Sequence, residues 1–129
     1  MKRLFLITAI LFLCSVIVNA GELQNIKIAV ASNDKNTEAS ISNKAAKCPY
    51  YLIFDGNGKL IQVLENQYRN ANRGAGPSAV NFLSQMRVTV VVAENFGSKM
   101  INALQNKGIT HIEFKGKVGD AVKRALDGR

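Results

Sequence analysis

Val88 to Ile109 (VTVVVAENFGSKMINALQNKGI) constrains the fold more than any other stretch of this chain. An unbroken β-branched run, Val88–Val92, ends in a polar, glycine-containing turn, Glu94–Ser98, and a segment of helical period follows. That is the pattern of a buried parallel strand handing over to a helix. The turn matters because backbone N–H groups at a helix N-terminus attract anions. A second turn of small residues, Gly74-Ala75-Gly76-Pro77-Ser78, opens the preceding helix. Two such helix starts predict a pocket for an anionic ligand.

The rest of the chain places those turns. Asn25–Ala31 reads as a first strand, Ser32–Lys47 as a long polar loop, and Tyr50–Asp55 as a second strand. Gly56-Asn57-Gly58-Lys59 reads as a tight hairpin turn, because glycine and asparagine accept positive φ. Leu60–Glu65 returns as the third strand, and Asn66–Gly76 is a second loop. A helix then starts at Pro77 or Ser78 and runs to about Met86, with Val80, Leu83 and Met86 on one face. Val88–Ala93, Gly97–Lys107 and Thr110–Phe114 follow as strand, helix and strand, with Gly108 stopping the helix. Val118–Leu126 closes the chain as a helix facing inward through Val118, Val122 and Leu126. The order β-β-β-α-β-α-β-α specifies a single α/β layer structure with a mixed five-stranded sheet. If the first strand pairs antiparallel with the second, strands one, three, four and five share a direction. Their C-terminal ends then form one rim, carrying the 32–48 loop, the 66–77 loop and the 94–98 turn, and open α/β sheets bind ligands at that rim.

The N-terminus reads as a targeting segment. Lys2 and Arg3 precede an apolar run, Leu4–Val18, and Val18-Asn19-Ala20 supplies the small residues a signal peptidase reads. Residues 1–20 are expected to be a signal peptide cut after Ala20, leaving 21–129 as one domain in the periplasm or secreted. The rival is an uncleaved anchor, for which the run is short. Removing Lys2 and Arg3 from the 17 basic residues leaves 15 against 9 acidic, a net charge of +6 in place of +8. The basic residues are scattered and lack the interleaved aromatics of a nucleic-acid platform. No nucleic acid, and no membrane after signal cleavage, is expected as a partner. The charge fits an anionic ligand or an acidic partner, with plain solubility as the bland alternative.

With Cys14 in the leader, Cys48 is the one remaining thiol, which excludes an intrachain disulfide framework. Cys48 is the candidate metal ligand, with Lys44 and Lys47 nearby to favour thiolate; the competing reading is a small packed hydrophobe. The candidate ligand-binding residues are Ser32, Lys44, Lys47, Arg69, Arg73, Gly74, Gly76, Asn95, Gly97 and Ser98. Arg69 and Arg73 would act as anion clamps, and Ser98 would serve as an N-cap. His111 stands apart from any zinc-type spacing, and Met86 and Met100 read as core. Asp34, Asp55 and Glu94 do not converge as two-metal nuclease chemistry requires, and no Gly-x-Ser-x-Gly elbow is present. The chain is therefore expected not to be an enzyme, and no catalytic residue is assigned.

Taken in order, IAVAS (28–32), CPYYLIFD (48–55), Glu65-Asn66, GAG (74–76), VVVAENFGSKM (90–100), LQNKGI (104–109) and the closing VGDAVKRAL resemble the dinitrogenase iron–molybdenum cofactor-binding family. The resemblance runs from Lys27 to about Leu126. It implies a ribonuclease H-like fold and a non-catalytic carrier of iron–sulfur or molybdenum-containing clusters; relatives with a mixed molybdenum–copper sulfide cluster are known. The implied cargo is a molybdenum-, iron- or copper-containing sulfide cluster; the anionic pocket read from the two helix starts would equally take a metal oxyanion. Family members commonly show Ser-x-His-Phe-Gly-Arg before the CPYYLIFD block. Here Lys44 stands at the histidine position, so a soft metal finds no imidazole there. With one thiol per chain, a homodimer sandwiching a cluster is one arrangement that fits. The alternative function is a structural or interaction protein on the same fold, binding an extracytoplasmic partner or itself.

Overall fold

The computed structural model describes residues 25–128. The expected signal peptide and its cleavage site lie outside the described residues. The elements are β1 (Lys27–Ser32), β2 (Tyr50–Asp55), β3 (Leu60–Glu65), α1 (Ala75–Gln85), β4 (Val90–Ala93), α2 (Ser98–Asn106), β5 (Thr110–Glu113) and α3 (Val118–Asp127). They form one sheet in the order β3-β2-β1-β4-β5. β2 runs antiparallel to both neighbours, while β1, β4 and β5 are parallel. The rim expected from sequence is therefore real.

The sheet is packed on both faces, which explains why its central strands are apolar without a break. Ala29, Ala31, Tyr51, Ile53, Val91 and Ala93 face α1 and α2, meeting Val80, Leu83, Met100 and Leu104. Ile28, Val30, Leu52, Phe54 and Val92 face α3, meeting Val118, Ala121, Val122 and Ala125. Strand alternation assigns neighbours in β1 to opposite cores. At the far end of the sheet the Asp55 carboxylate organises the hairpin, accepting from the Asn57 and Lys59 amides at 2.9 and 3.0 Å. Gly58 takes the positive φ there, +82°.

Several boundaries move. α1 begins at Ala75, two residues ahead of Pro77, because the first-turn amides have no intrahelical acceptor and proline is tolerated among them. β4 starts at Val90 instead of Val88, since Arg87 and Val88 are spent ending α1. β5 stops at Glu113, one residue before Phe114. The 32–47 loop is more ordered than its composition suggests. Its Ile41 is buried, and the Ile41 and Ser42 amides donate to Gly116 O at 2.9 Å and Ala31 O at 2.8 Å. The loop is thus a strap tied to the rim.

Both α1 and α2 end with the same backbone device. Val88 N donates to Leu83 O and Arg87 N to Ser84 O after α1; Ile109 N donates to Leu104 O and Gly108 N to Gln105 O after α2. This pairing needs a left-handed residue just past the helix. α2 uses Gly108 at φ 67°, whereas α1 uses Arg87 at φ 64°. The Cβ of Arg87 makes that conformation costly. Replacing Arg87 with Gly is expected to raise unfolding stability by about 1 kcal/mol in urea titrations; an unchanged or lower midpoint would contradict this account of the helix end.

Candidate anion-binding site

At the rim, three segments enclose a cavity of about 500 Å³. They are the strap at 43–47, the start of α1 at 74–77, and the turn into α2 at 95–100. The volume suits a small ligand. Each segment is held by backbone geometry. Glu94 N donates to Ser42 O at 3.0 Å and Ala45 N to Asn95 O at 3.1 Å, which stitches the strap to the turn before α2. The two helix starts touch: a Cβ on Gly76 would lie 3.0 Å from Met100 Cβ and 3.3 Å from both Met100 Cα and N. A side chain at 76 would therefore need Met100 to give way by a few tenths of an ångström.

The electrostatics of the cavity are one-sided. α1 starts from Gly74 and α2 from Gly97; neither has a side-chain cap or an acidic residue in its first turn. Among the described residues, the Ala75, Gly76, Ser98 and Lys99 amides meet no protein acceptor. Lys44, Lys47 and Lys99 line the cavity, and none of its lining residues is acidic. α3 shows the contrast: its Val118 and Gly119 amides donate to Ala39 O and Thr37 O at 2.9 Å, and Asp120 sits in its first turn. A lysine in an uncapped first turn opposes the helix dipole. Lys99 and the bare helix starts become favourable together only when an anion sits between them.

Of the residues singled out from sequence, Lys44, Lys47, Gly74, Gly76, Asn95 and Gly97 line this cavity. Five candidates are placed elsewhere. Ser32 is buried, and its hydroxyl is engaged with Asp34, donating to Asp34 O at 2.5 Å and accepting from Asp34 N at 3.2 Å. Ser98 is the first residue of α2 and not its cap, because Gly97 takes the extended cap conformation, φ −72°, ψ 153°. Arg69 and Arg73 are exposed on a segment that folds as turns, with Arg69 N donating to Asn66 O at 3.2 Å, and neither lines the cavity.

Cys48 is the largest displacement. It is wholly buried behind the cavity floor. Asn66 explains why: its side-chain amide donates to Ala46 O at 2.8 Å and Cys48 O at 2.9 Å, and lies 3.8 Å from Cys48 Sγ. The Tyr51 hydroxyl donates to Ala45 O at 2.5 Å. Burial pushes the Cys48 thiol up to about 12, with contacts to Tyr51 and Asn66 opposing it in part. Burial, and then its Cys48 neighbour, also raises the Tyr51 hydroxyl above its ordinary value. A protonated, enclosed thiol is a poor metal ligand. Among the described residues no three His, Cys, Asp or Glu side chains converge on a metal position. Sequence reasoning missed Lys99, Phe96, Asn66 and Tyr51 as parts or supports of the site. The signal for Lys99 was a cation in a first helical turn without acids.

A family profile described as dinitrogenase iron–molybdenum cofactor matches residues 24–128. The chain belongs to that family. The apo form of the orange protein from Desulfovibrio gigas is similar in structure, with a TM-score of 0.74 and 25% identity over 79% of this chain and 88% of that one. A NifB-like protein from Thermotoga is similar at a TM-score of 0.68 and 28% identity, covering 81% of this chain and 90% of that one. An uncharacterised protein of Methanocaldococcus jannaschii is 23% identical over 69% of this chain and 79% of its own length. Family membership points to binding of an iron–molybdenum cofactor-like or related cluster.

Two outcomes test the site's framework. Cys48 stays protonated in the folded chain but ionises above its ordinary 9.0 when unfolded, so its stabilising contribution is full below that value and lost as pH rises toward about 12. Melting temperature between about pH 8.5 and 10.5 should fall more steeply in the native protein than in Cys48→Ala, and Ellman's reagent should label Cys48 only after unfolding. Rapid labelling of the folded protein would contradict the burial. Asn66→Ala removes the side-chain donor from the buried Cys48 carbonyl and the part-buried Ala46 carbonyl and should cost about 2–3 kcal/mol in chemical denaturation.

Proposed function

We propose that this protein is a non-catalytic, extracytoplasmic carrier that binds a preformed anionic metal–sulfur cluster or thiometalate in the rim cavity, without a protein–metal bond. The observation that carries the reading is the convergence of two uncapped helix N-termini and three lysines on one cavity with no acid among its lining residues. Backbone amides and lysines hold anions by charge and hydrogen bonding. Ala45, Ala46, Pro77, Phe96 and Met100 give the same cavity an apolar wall. That mixture suits a polarisable sulfide surface, which accepts hydrogen bonds weakly and packs against carbon and thioether groups. Lys44, at the family's histidine position, adds charge to such a site where an imidazole would add a metal bond. The extracytoplasmic part rests on Lys2, Arg3, the apolar Leu4–Val18 run and Val18-Asn19-Ala20. N-terminal sequencing of protein recovered from the producing cell should begin at Gly21; recovery of an intact leader would contradict it.

Binding is tested with tetrathiomolybdate, followed by its visible absorption and by calorimetry. Near-stoichiometric binding is expected. Charge reversal at Lys44, Lys47 or Lys99 should weaken it about tenfold or more each at low salt. Cys48→Ala should bind as the native chain does. Absence of binding would move the function to partner recognition on the same fold. Loss of binding in a folded Cys48→Ala variant would return the thiol to the ligand set.

A further inference from the structure

The aromatic wall of the cavity is backed by the one histidine of the chain. Phe96 lines the cavity, and the His111 ring meets it nearly edge-on, with centroids 5.1 Å apart and planes at 64°. His111 is half-buried on β5, opposite Val91 and on the sheet face that carries α1 and α2. Among the described residues its imidazole has this ring contact and no ion pair. The charged groups on the surrounding elements are Glu113 on β5, Glu94 in the turn after β4, and Lys99 and Lys107 at the two ends of α2; none is ion-paired with it. Histidine is the side chain whose charge changes close to neutral pH.

We propose that His111 makes the cavity's hold on anions pH-dependent. The proposal rests on the reading of the cavity as an anion site. Protonation places a positive charge directly behind Phe96, adding to the three lysines. Anions then bind tighter as pH falls, and by linkage a bound anion favours the protonated imidazole. His111 is the one histidine among the groups around the cavity.

The test uses tetrathiotungstate, a constant dianion, with native protein and His111→Gln at pH 6 and pH 8. NMR titration of the His111 ring is followed with and without saturating ligand. The native protein should bind roughly three- to tenfold tighter at pH 6, His111→Gln should bind equally at both, and the ligand should move the His111 midpoint upward. Equal pH dependence in the two proteins, or a midpoint unmoved by ligand, overturns the proposal while leaving the anion site intact. No binding at either pH overturns both. Should His111→Gln fail to fold, the titration of the native protein decides alone.

Discussion

The close approach of α1 to α2 at Gly76 and Met100 is the contact on which the rest of the site depends. Helix N-termini carry like partial charges and repel one another unless something holds them together. Here the core does so: Val80, Leu83, Met100 and Leu104 bury one side of each helix against β1, β2 and β4. Because residue 76 lacks a side chain, the first turns come together at backbone distance. The unsatisfied amides of both helices then open onto one space. Hydrophobic burial of the helices thus offsets the cost of leaving polar groups bare at the cavity.

The floor of that space is fixed by different means. Asn66, buried after β3, spends its side-chain amide on two carbonyls of the 46–48 segment, and Tyr51 anchors a third from within β2. These are short-range polar constraints inside an apolar core, where a hydrogen bond left unmade is expensive. They hold Lys44 and Lys47 on the cavity side while turning Cys48 inward. The same network therefore supplies the site's charge and removes its thiol.

Much of the fold was legible because its signals are periodic. The β-branched Val88–Val92 run, the Gly56–Lys59 turn and the Gly108 stop each carry their own backbone logic, and the mixed strand directions follow from one hairpin and the helical crossovers. The rim location was legible for the same reason. What was not legible depends on contacts across long sequence separations. Cys48 reads either as a rim thiol beside two lysines or as a packed hydrophobe, until Asn66, 18 residues later, fixes it in the core. Ser32 reads as a ligand-binding hydroxyl at a strand end and Ser98 as a helix cap, yet a two-residue turn engages the first and a one-residue shift of helix start displaces the second. The strap at 40–45 carries no periodic pattern at all, because its order comes from backbone bonds to three other segments.

The account makes the cavity an electrostatic and hydrogen-bonding site, with metal held inside a ligand that arrives complete. Family membership points to a cluster-type cargo, and the proposed site would hold it by charge, with Lys44 at the family's histidine position. The most direct measurement is a crystal structure of the protein soaked with tetrathiotungstate, using tungsten anomalous scattering to locate the metal. The account predicts a peak between the 75–76 and 98–99 amides, within reach of Lys44 and Lys99 and with no protein atom bonded to tungsten. A peak bonded to Cys48 Sγ, or none in the cavity at full soaking, would contradict it.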